Sequence, residues 1–382
     1  TWRHTHQTNK DKVSGNSKTP DFDTWKVSVS WDVTDWIRFR GTRSRDVRAA
    51  SFNDLYSNLP PVEPGPPAGT AFNRFNGGSQ ANGVANGGVN TFARVLSPSN
   101  FALSPEVGDT WTGGIVLQPK GFMEGLRVSV DYYDIKIRDV ILNLTTQEVV
   151  DACYVANVLC GNITNAAGAT FSSLTNNADK LLFGNITRGA ANIANFRQKG
   201  WDVEIAYNLP LEKLKGSLPG ALSFRGLATI TDTMKVDLGN GAGGVEYRNQ
   251  TGGSAFGGFT APSKYILTGD ATYQVAGFSF TIDGRYIPRG LYDIRRREVG
   301  SVNPLNGQTV TNTTENSITN NRVASRFYTG LSGSYRFNMG TGDDDTAEVF
   351  FTIRNLFGIA PPAAGSNAAG TLGSVRGGGA TT

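Results

Sequence analysis

The stretch Trp25-Lys26-Val27-Ser28-Val29-Ser30-Trp31-Asp32 sets apolar and polar side chains at alternate positions. Successive side chains of an extended strand point to opposite faces, so this segment has one apolar face and one wet face. Trp201-Asp202-Val203-Glu204-Ile205-Ala206-Tyr207-Asn208 repeats the pattern. Further copies follow. Leu222, Phe224, Gly226, Ala228 and Ile230 alternate with Ser223, Arg225 and Thr229. Phe278, Phe280, Ile282 and Tyr286 alternate with Ser279, Thr281, Asp283 and Arg285. Ala347, Val349, Phe351 and Ile353 alternate with Glu348, Thr352 and Arg354. A dry core between two sheets would penalise charges such as Asp283 and Arg285, whereas a water-filled lumen tolerates them.

Working outward, the alternation predicts strands in five pairs. Strands over about 24–33 and 36–45 meet at a tight Thr34-Asp35 turn, and 110–118 and 126–138 meet around 119–125. Those over 198–208 and 221–231 connect through 208–220, and 263–274 and 277–288 through Val275-Ala276-Gly277. The last pair, 326–337 and 346–354, connects through 338–345. Between pairs lie long polar connections over 46–109, 139–197, 232–262 and 289–325. Compact soluble domains usually join elements with about four to six residues. Alternating short and long connections belong instead to outer-membrane barrels, with short periplasmic turns and long external loops. Closing the sheet leaves no backbone polar group facing lipid, which is the condition for spanning. Aromatic residues gather near the predicted strand ends, where interfacial girdles belong: Trp25, Trp31 and Trp36; Tyr132 and Tyr133; Tyr265 and Tyr273; Tyr328 and Tyr335.

Composition agrees. The 382 residues include 47 Gly, which suits turns and exposed loops. No apolar run approaches the roughly 18 to 20 residues of a spanning helix. The net charge of +4, from 36 basic and 32 acidic residues, is too even to indicate nucleic acid. Thr1-Trp2-Arg3-His4-Thr5-His6 has no apolar core of a secretory signal, and the chain is expected to be a fragment or a processed product. Cys153 and Cys160, seven apart in a polar segment, fit a loop-stapling disulfide in an oxidising compartment; two free thiols are the alternative.

Four phrases carry a family resemblance. Arg40-Gly41-Thr42-Arg43-Ser44-Arg45-Asp46-Val47-Arg48-Ala49-Ala50-Ser51-Phe52-Asn53-Asp54-Leu55-Tyr56 resembles a motif of TonB-dependent outer-membrane receptors that ends a mid-barrel strand and enters an external loop. Ala50 stands where that motif usually has proline, and Asp54 where it has glutamate. Leu103-Ser104-Pro105-Glu106 with Trp111-Thr112-Gly113-Gly114 is similar to the family's entry to the next strand. Val130-Asp131-Tyr132-Tyr133-Asp134-Ile135-Lys136-Ile137-Arg138-Asp139-Val140-Ile141 resembles the strand after it. Phe351-Thr352-Ile353-Arg354-Asn355-Leu356-Phe357-Gly358, followed by Pro361, resembles the penultimate strand. The phrases stand in the family's order and cover nearly the whole chain.

The resemblance implies an all-β fold, an antiparallel transmembrane β-barrel segment of about ten strands from a 22-stranded barrel. In the family the barrel closes around an N-terminal plug preceded by an energy-coupling box. Neither phrase is visible, and the usual aromatic-ended last strand is replaced by Gly377-Gly378-Gly379-Ala380-Thr381-Thr382. Residues 1–382 are therefore expected to form one partial barrel domain lacking plug and last strand, with two open edges prone to aggregation.

No catalytic constellation is legible. The two histidines, His4 and His6, sit together near the start, where they read as exposed side chains more readily than as ligands. Asp343-Asp344-Asp345 lacks EF-hand spacing and reads as a solvated turn. Glycine-rich tracts at 239–244 and 252–258 do not open a helix after a strand and read as loop, not as phosphate cradles. Asn162-Ile163-Thr164 and Asn185-Ile186-Thr187 are sequons by pattern only, and Phe72, Phe75 and Phe92 read as loop packing. Two arginine clusters are candidate substrate-binding residues: Arg43, Arg45 and Arg48 at the external rim, and Arg295, Arg296 and Arg297, which with Arg289 open another external loop. Guanidinium groups there suit an anionic ligand such as a siderophore carboxylate or catecholate, the phosphates of lipopolysaccharide, or simple solvation.

The expected function is outer-membrane active transport without enzymatic activity or cofactor. By the resemblance, long loops would capture a ferric siderophore, a cobalamin or an oligosaccharide, and import would draw energy from TonB through the N-terminal part. Expected partners are outer-membrane lipid and lipopolysaccharide, TonB and the ligand. A passive porin or adhesin-type barrel, or a soluble β-rich carbohydrate-binding protein, are the rival readings.

Overall fold

The computed structural model describes residues 1–10, 15, 17–56, 59–62, 70–72, 90–180, 182–237, 244–252, 260–294, 296–302, 307, 309–311, 317–340 and 346–362. Eleven of their strands form one antiparallel meander. They are β1 Trp2–His6, β2 Asp21–Thr34, β3 Ile37–Arg48, β4 Glu106–Leu117, β5 Leu126–Asn143 and β6 Ala190–Pro210. β7 Ala221–Asp237, β8 Tyr265–Val275, β9 Phe278–Ile287, β10 Arg326–Asn338 and β11 Thr346–Ile353 complete the row. Each strand pairs with its neighbour in sequence, and Val245–Glu246 adds a twelfth, short strand beside β7.

All ten predicted strands are present. β1 was not anticipated, because its five residues show no apolar alternation; it forms by pairing Trp2 with Trp25 and His6 with Asp21. β5 to β7 run further outward than the alternation predicts, β6 reaching 21 residues.

Short turns occupy one end. Thr34 Oγ1 accepts hydrogen bonds from the Trp36 and Ile37 amides at 3.3 and 3.1 Å and closes the β2–β3 turn. Ala276 and Gly277 join β8 to β9 with φ of 47° and 87°, the double left-handed conformation that matches the twist of a two-residue hairpin. Lys120 reaches Asp35 at 2.8 Å and Lys213 reaches Glu124 at 2.9 Å, linking three successive turns. The hydrogen bond from each lysine holds the partner carboxyl below its ordinary range. These pairs are exposed and stabilise little.

The register fixes two faces. Val27, Val29, Trp31 and Val33 share one face of β2, and all are exposed. Paired positions carry that face through Phe39, Ile115, Val130, Val203, Ala228 and Leu267 to Tyr286 and Phe327. Exposed apolar side chains over so many strands have no soluble partner, so this is the lipid face. Aromatic pairs mark its borders: Tyr132 with Trp201 and Tyr265 with Tyr286 towards the long loops, Phe278 with Tyr335 towards the short turns. Tyr133 and Tyr328, expected among the girdle residues, lie on the opposite face, because their neighbours Tyr132 and Phe327 take the lipid side.

The second face is polar. Arg40 on β3 grips Asp131 on β5 with two hydrogen bonds, passing over Gly114 of β4. A Cβ at Gly114 would overlap the Asp131 carboxylate, so the missing side chain makes room for the pair. Arg225 meets Glu204 at 2.9 Å, Arg336 meets Glu348 at 3.2 Å, and Thr272 bonds Thr281 at 2.8 Å.

The well-buried core lies in the long connections, folded over the polar face at its outer end. Helix α2, Thr146–Ala156, packs Val149, Val150 and Cys153 against Ile163, Phe171, Phe183 and Ile186. The same cluster takes in Val140, Ala194, Met234 and Val236 from the strands. The helix starts at a capping box, Thr145 Oγ1 accepting from the Glu148 amide and Glu148 accepting from the Thr145 amide. It ends at Asn157 in the left-handed conformation. Cys153 and Cys160 are joined by a disulfide that closes the following turn.

Candidate functional site

The site is the outer rim, where β3 to β7 pass from the apolar band into the long loops. Strand alternation decides where each rim arginine goes. Arg43 and Arg45 are two apart and share a face; Arg48 falls on the other.

Arg48 lies on the polar face, at the mouth. Its Nε and one terminal nitrogen donate to Glu106 at 2.7 Å each, and the other donates to Asp54 at 3.1 Å. Glu106 also accepts the Ile141 amide at 2.7 Å, tying β4 to β5. Asp54 belongs to the short helix α1, Phe52–Tyr56, and accepts the Ser51 amide at 2.9 Å. Burial pushes the Asp54 carboxyl up, but the Ser51 amide and hydroxyl and the Arg48 guanidinium together hold it below its ordinary value. Arg48 therefore fastens the first long loop to the barrel wall, with Leu55, Leu103, Ile141 and Ala190 packed behind.

Arg43 and Arg45 lie on the lipid face, above the aromatic border. Their positions pair with Val27 and Trp25 of β2 and with Trp111 and Asp109 of β4. The Arg43 guanidinium sits 4.6 Å over the Trp111 ring. Arg45 binds Asp109 with two hydrogen bonds, at 2.9 and 3.2 Å, and Arg138 reaches the same carboxylate at 3.3 Å. Arg197 and Asp134 form a second two-pronged pair nearby.

In the loop after β9, Arg296 faces Asp293 at 3.7 Å, while Asn321 accepts the Asp293 amide and donates to the Arg296 carbonyl. Arg297 opens a two-residue strand paired with Ser317. Arg295 lies outside the described residues, as do Phe75, Asp343 to Asp345, most of the two glycine-rich tracts and the C-terminal tail. Thus Arg43 and Arg45 come together with Asp109, and Arg48 is separated from them by the thickness of the sheet. Sequence reasoning missed Asp109, Asp134, Arg138 and Arg197. Asp134 and Arg138 sit at alternate positions of a predicted strand, and Asp109 and Arg197 one residue outside the predicted ends of theirs, but only the cross-strand register shows that they adjoin.

On the polar face a shallow hollow of about 350 Å³ is lined by Ser28, Arg40, Thr42, Thr112 and Asp131. His4 meets Asp23 at 2.9 Å and His6 meets Asp21, both exposed at the sheet edge. Among the described residues no group of three or more His, Cys, Asp and Glu is placed to hold a metal. The arrangement is that of a wall: lipid-compatible outside, polar inside, with folded loops over one end.

The comparisons agree with this architecture. Residues 2–356 match the family described as TonB dependent receptor-like, beta-barrel. No curated protein matches the sequence. A mutant ferric enterobactin receptor PfeA of Pseudomonas aeruginosa, bound to enterobactin, is 14% identical with a TM-score of 0.52. The match covers 96% of this chain and 40% of that one. The FrpB iron transporter of Neisseria meningitidis (F3-3 variant) is 11% identical with a TM-score of 0.51, covering 98% of this chain and 40% of that one. At such identity these likenesses speak to the fold alone, and the chain spans about 40% of the length of both structures. With an antiparallel strand meander of the right polarity and a family match over nearly its whole length, the chain belongs to the β-barrel family of TonB-dependent receptors.

Proposed function

We propose that this wall belongs to a bacterial outer-membrane receptor that captures a scarce ligand at its long-loop end and imports it with energy supplied through TonB. The observation that carries the proposal is the polar face. Strands with exposed apolar residues outside carry paired charges inside, among them Arg40–Asp131 and Arg225–Glu204. Folded loops stand at the mouth of that polar surface. A wall of this kind serves to pass a polar solute and contributes no catalysis. An anionic iron chelate suits it best: the relatives named above are a ferric enterobactin receptor and an iron transporter. Arg48, Arg296 and Arg297 would meet such a ligand through charge-assisted hydrogen bonds, Arg48 only after yielding a carboxylate partner.

Uptake of radiolabelled ferric chelates by cells expressing the full-length protein tests this. Saturable uptake that stops when the proton-motive force is collapsed supports the proposal. Non-saturable, energy-independent uptake of small neutral sugars would instead establish a passive barrel and sink it.

A further inference from the structure

The chain has two histidines, and both stand on one face of β1. His4 and His6 are two residues apart, so their side chains leave the strand in the same direction, with Cβ atoms about 7 Å apart. Each lies directly opposite an aspartate of β2, His4 opposite Asp23 and His6 opposite Asp21. Both rings turn the same atom to that partner: His4 Nδ1 meets Asp23 at 2.9 Å, and His6 Nδ1 meets Asp21. Exposed pairs of this kind stabilise a sheet edge little. What they do decide is the tautomer. An ionised carboxylate only accepts, so Nδ1 is the nitrogen that donates, and in the neutral ring the lone pair is left on Nε2. The His4 and His6 side chains are 52% and 63% exposed, so ions in the surrounding water reach them.

A histidine that binds a metal almost always gives its other ring N–H to a carboxylate, a carbonyl or water, which fixes the ring and strengthens the ligand. β1 and β2 supply that arrangement twice, side by side. We infer that His4 and His6 form a surface site for a divalent transition-metal ion, with Nε2 of both rings as ligands and Asp23 and Asp21 as the groups that orient them. Imidazole suits zinc, nickel and copper ions, whereas calcium and magnesium take oxygen ligands. Among the described residues no third protein ligand joins the pair. A permanent structural or catalytic centre uses more than two, so here water completes the shell and the ion exchanges with the medium. That medium lies on the long-loop side. Asp21 and Asp23 stand at the end of β2 away from the Thr34 turn, outward of the Trp2–Trp25 pair. The inference rests on the pairing of β1 with β2 and goes beyond the transport proposal, which survives its failure.

The experiment titrates Ni²⁺ alone into the full-length protein, untagged and in detergent micelles, and follows heat and tryptophan fluorescence. Trp2 stacks on His4 with ring centroids 6.2 Å apart, so a paramagnetic ion on His4 quenches its emission. Saturable binding, with quenching that Trp2→Phe largely removes, is the expected result. Replacing His4 and His6 together by Ala should abolish that site. Asp23→Ala leaves both imidazoles in place and should still weaken binding by about tenfold or more. A parent that shows no saturable binding overturns the inference, as does equal affinity in the parent and the double-histidine variant. Unchanged affinity in Asp23→Ala overturns it as well, because the carboxylate then does not support the ligand. Displacement of Ni²⁺ by millimolar Ca²⁺ would assign the ion to oxygen ligands and has the same consequence. Heat-dependent gel mobility reports folding. If the double variant misfolds, Asp23→Ala and the calcium competition on the parent still decide.

Discussion

Replacing Ile282 by arginine puts a charge at the middle of the apolar face. On β9 that face presents Phe278, Phe280, Ile282, Gly284 and Tyr286. Phe278 stacks on Tyr335 with centroids 4.1 Å apart, and Tyr286 on Tyr265 at 6.2 Å, so both ends lie in aromatic borders. Eight residues at the strand rise span about 26 Å along the chain, or about 20 Å along the membrane normal at a tilt of roughly 40°. Ile282 stands midway, about 10 Å from either border by the same rise and tilt. It is 51% exposed and faces Ala271 and Leu331. An arginine at that depth costs about 2–4 kcal/mol, a loss of roughly 30- to 1000-fold in the folding equilibrium. Thr281→Arg, one residue away, points into the polar interior. It forfeits the Thr272 hydrogen bond, worth about 1 kcal/mol, and little else. The assay is reversible folding of the full-length protein into phospholipid vesicles across a denaturant series. The two faces have been assigned wrongly if Thr281→Arg proves as costly as Ile282→Arg.

Three further outcomes follow from the rim. Arg48→Ala leaves Glu106 and Asp54 without their shared cation; because Arg48 is half exposed, the cost is about 2 kcal/mol. It should appear as a roughly 30-fold faster hydrogen exchange of the Leu55 amide with the barrel amides unaffected, and unchanged exchange at Leu55 refutes the anchoring role. Asp54 is depressed in the folded state, so its contribution is complete above its ordinary value near pH 4 and fades as pH falls through the lower folded value. Exchange at Leu55 should hence be flat from about pH 7 down to 5, after correction for intrinsic rates, and rise relative to Arg48→Ala only below about 4. Cys153→Ser removes a cross-link worth about 2.5 kcal/mol by loop entropy. Limited proteolysis within 144–189 should accelerate while the barrel core resists, and equal cleavage rates would count against a stabilising role.

Alternation made the strands legible because lipid on one side and water on the other force a period of two. Beyond the membrane that force lapses, so the outer parts of β5 and β6 carry no alternation that marks them as strand. There Val140 and Leu142 are held by the loop core. Helix α2 goes unread although Thr145 and Glu148 spell a capping box and Val149, Val150 and Cys153 recur at helical spacing, because that signal spans only three turns inside a long, mostly polar connection. The rim arginines were legible as a cluster but not as to face. Arg43 meets Trp111 only because the β3–β4 register brings together residues far apart in sequence. No local signal encodes that register; the packing of whole faces sets it.

The paired ladder of β5 to β7 is interrupted twice above the membrane, near Asp139, which adopts φ of 56°, and between Thr231 and Thr233 opposite Lys199 and Gly200. Ala194, Met234 and Val236, which hold the disulfide-closed core, all lie beyond these breaks. A bulge bends its strand and sharpens its twist, so the core that these outer strand ends hold is set at an angle to the membrane-spanning ladder below them.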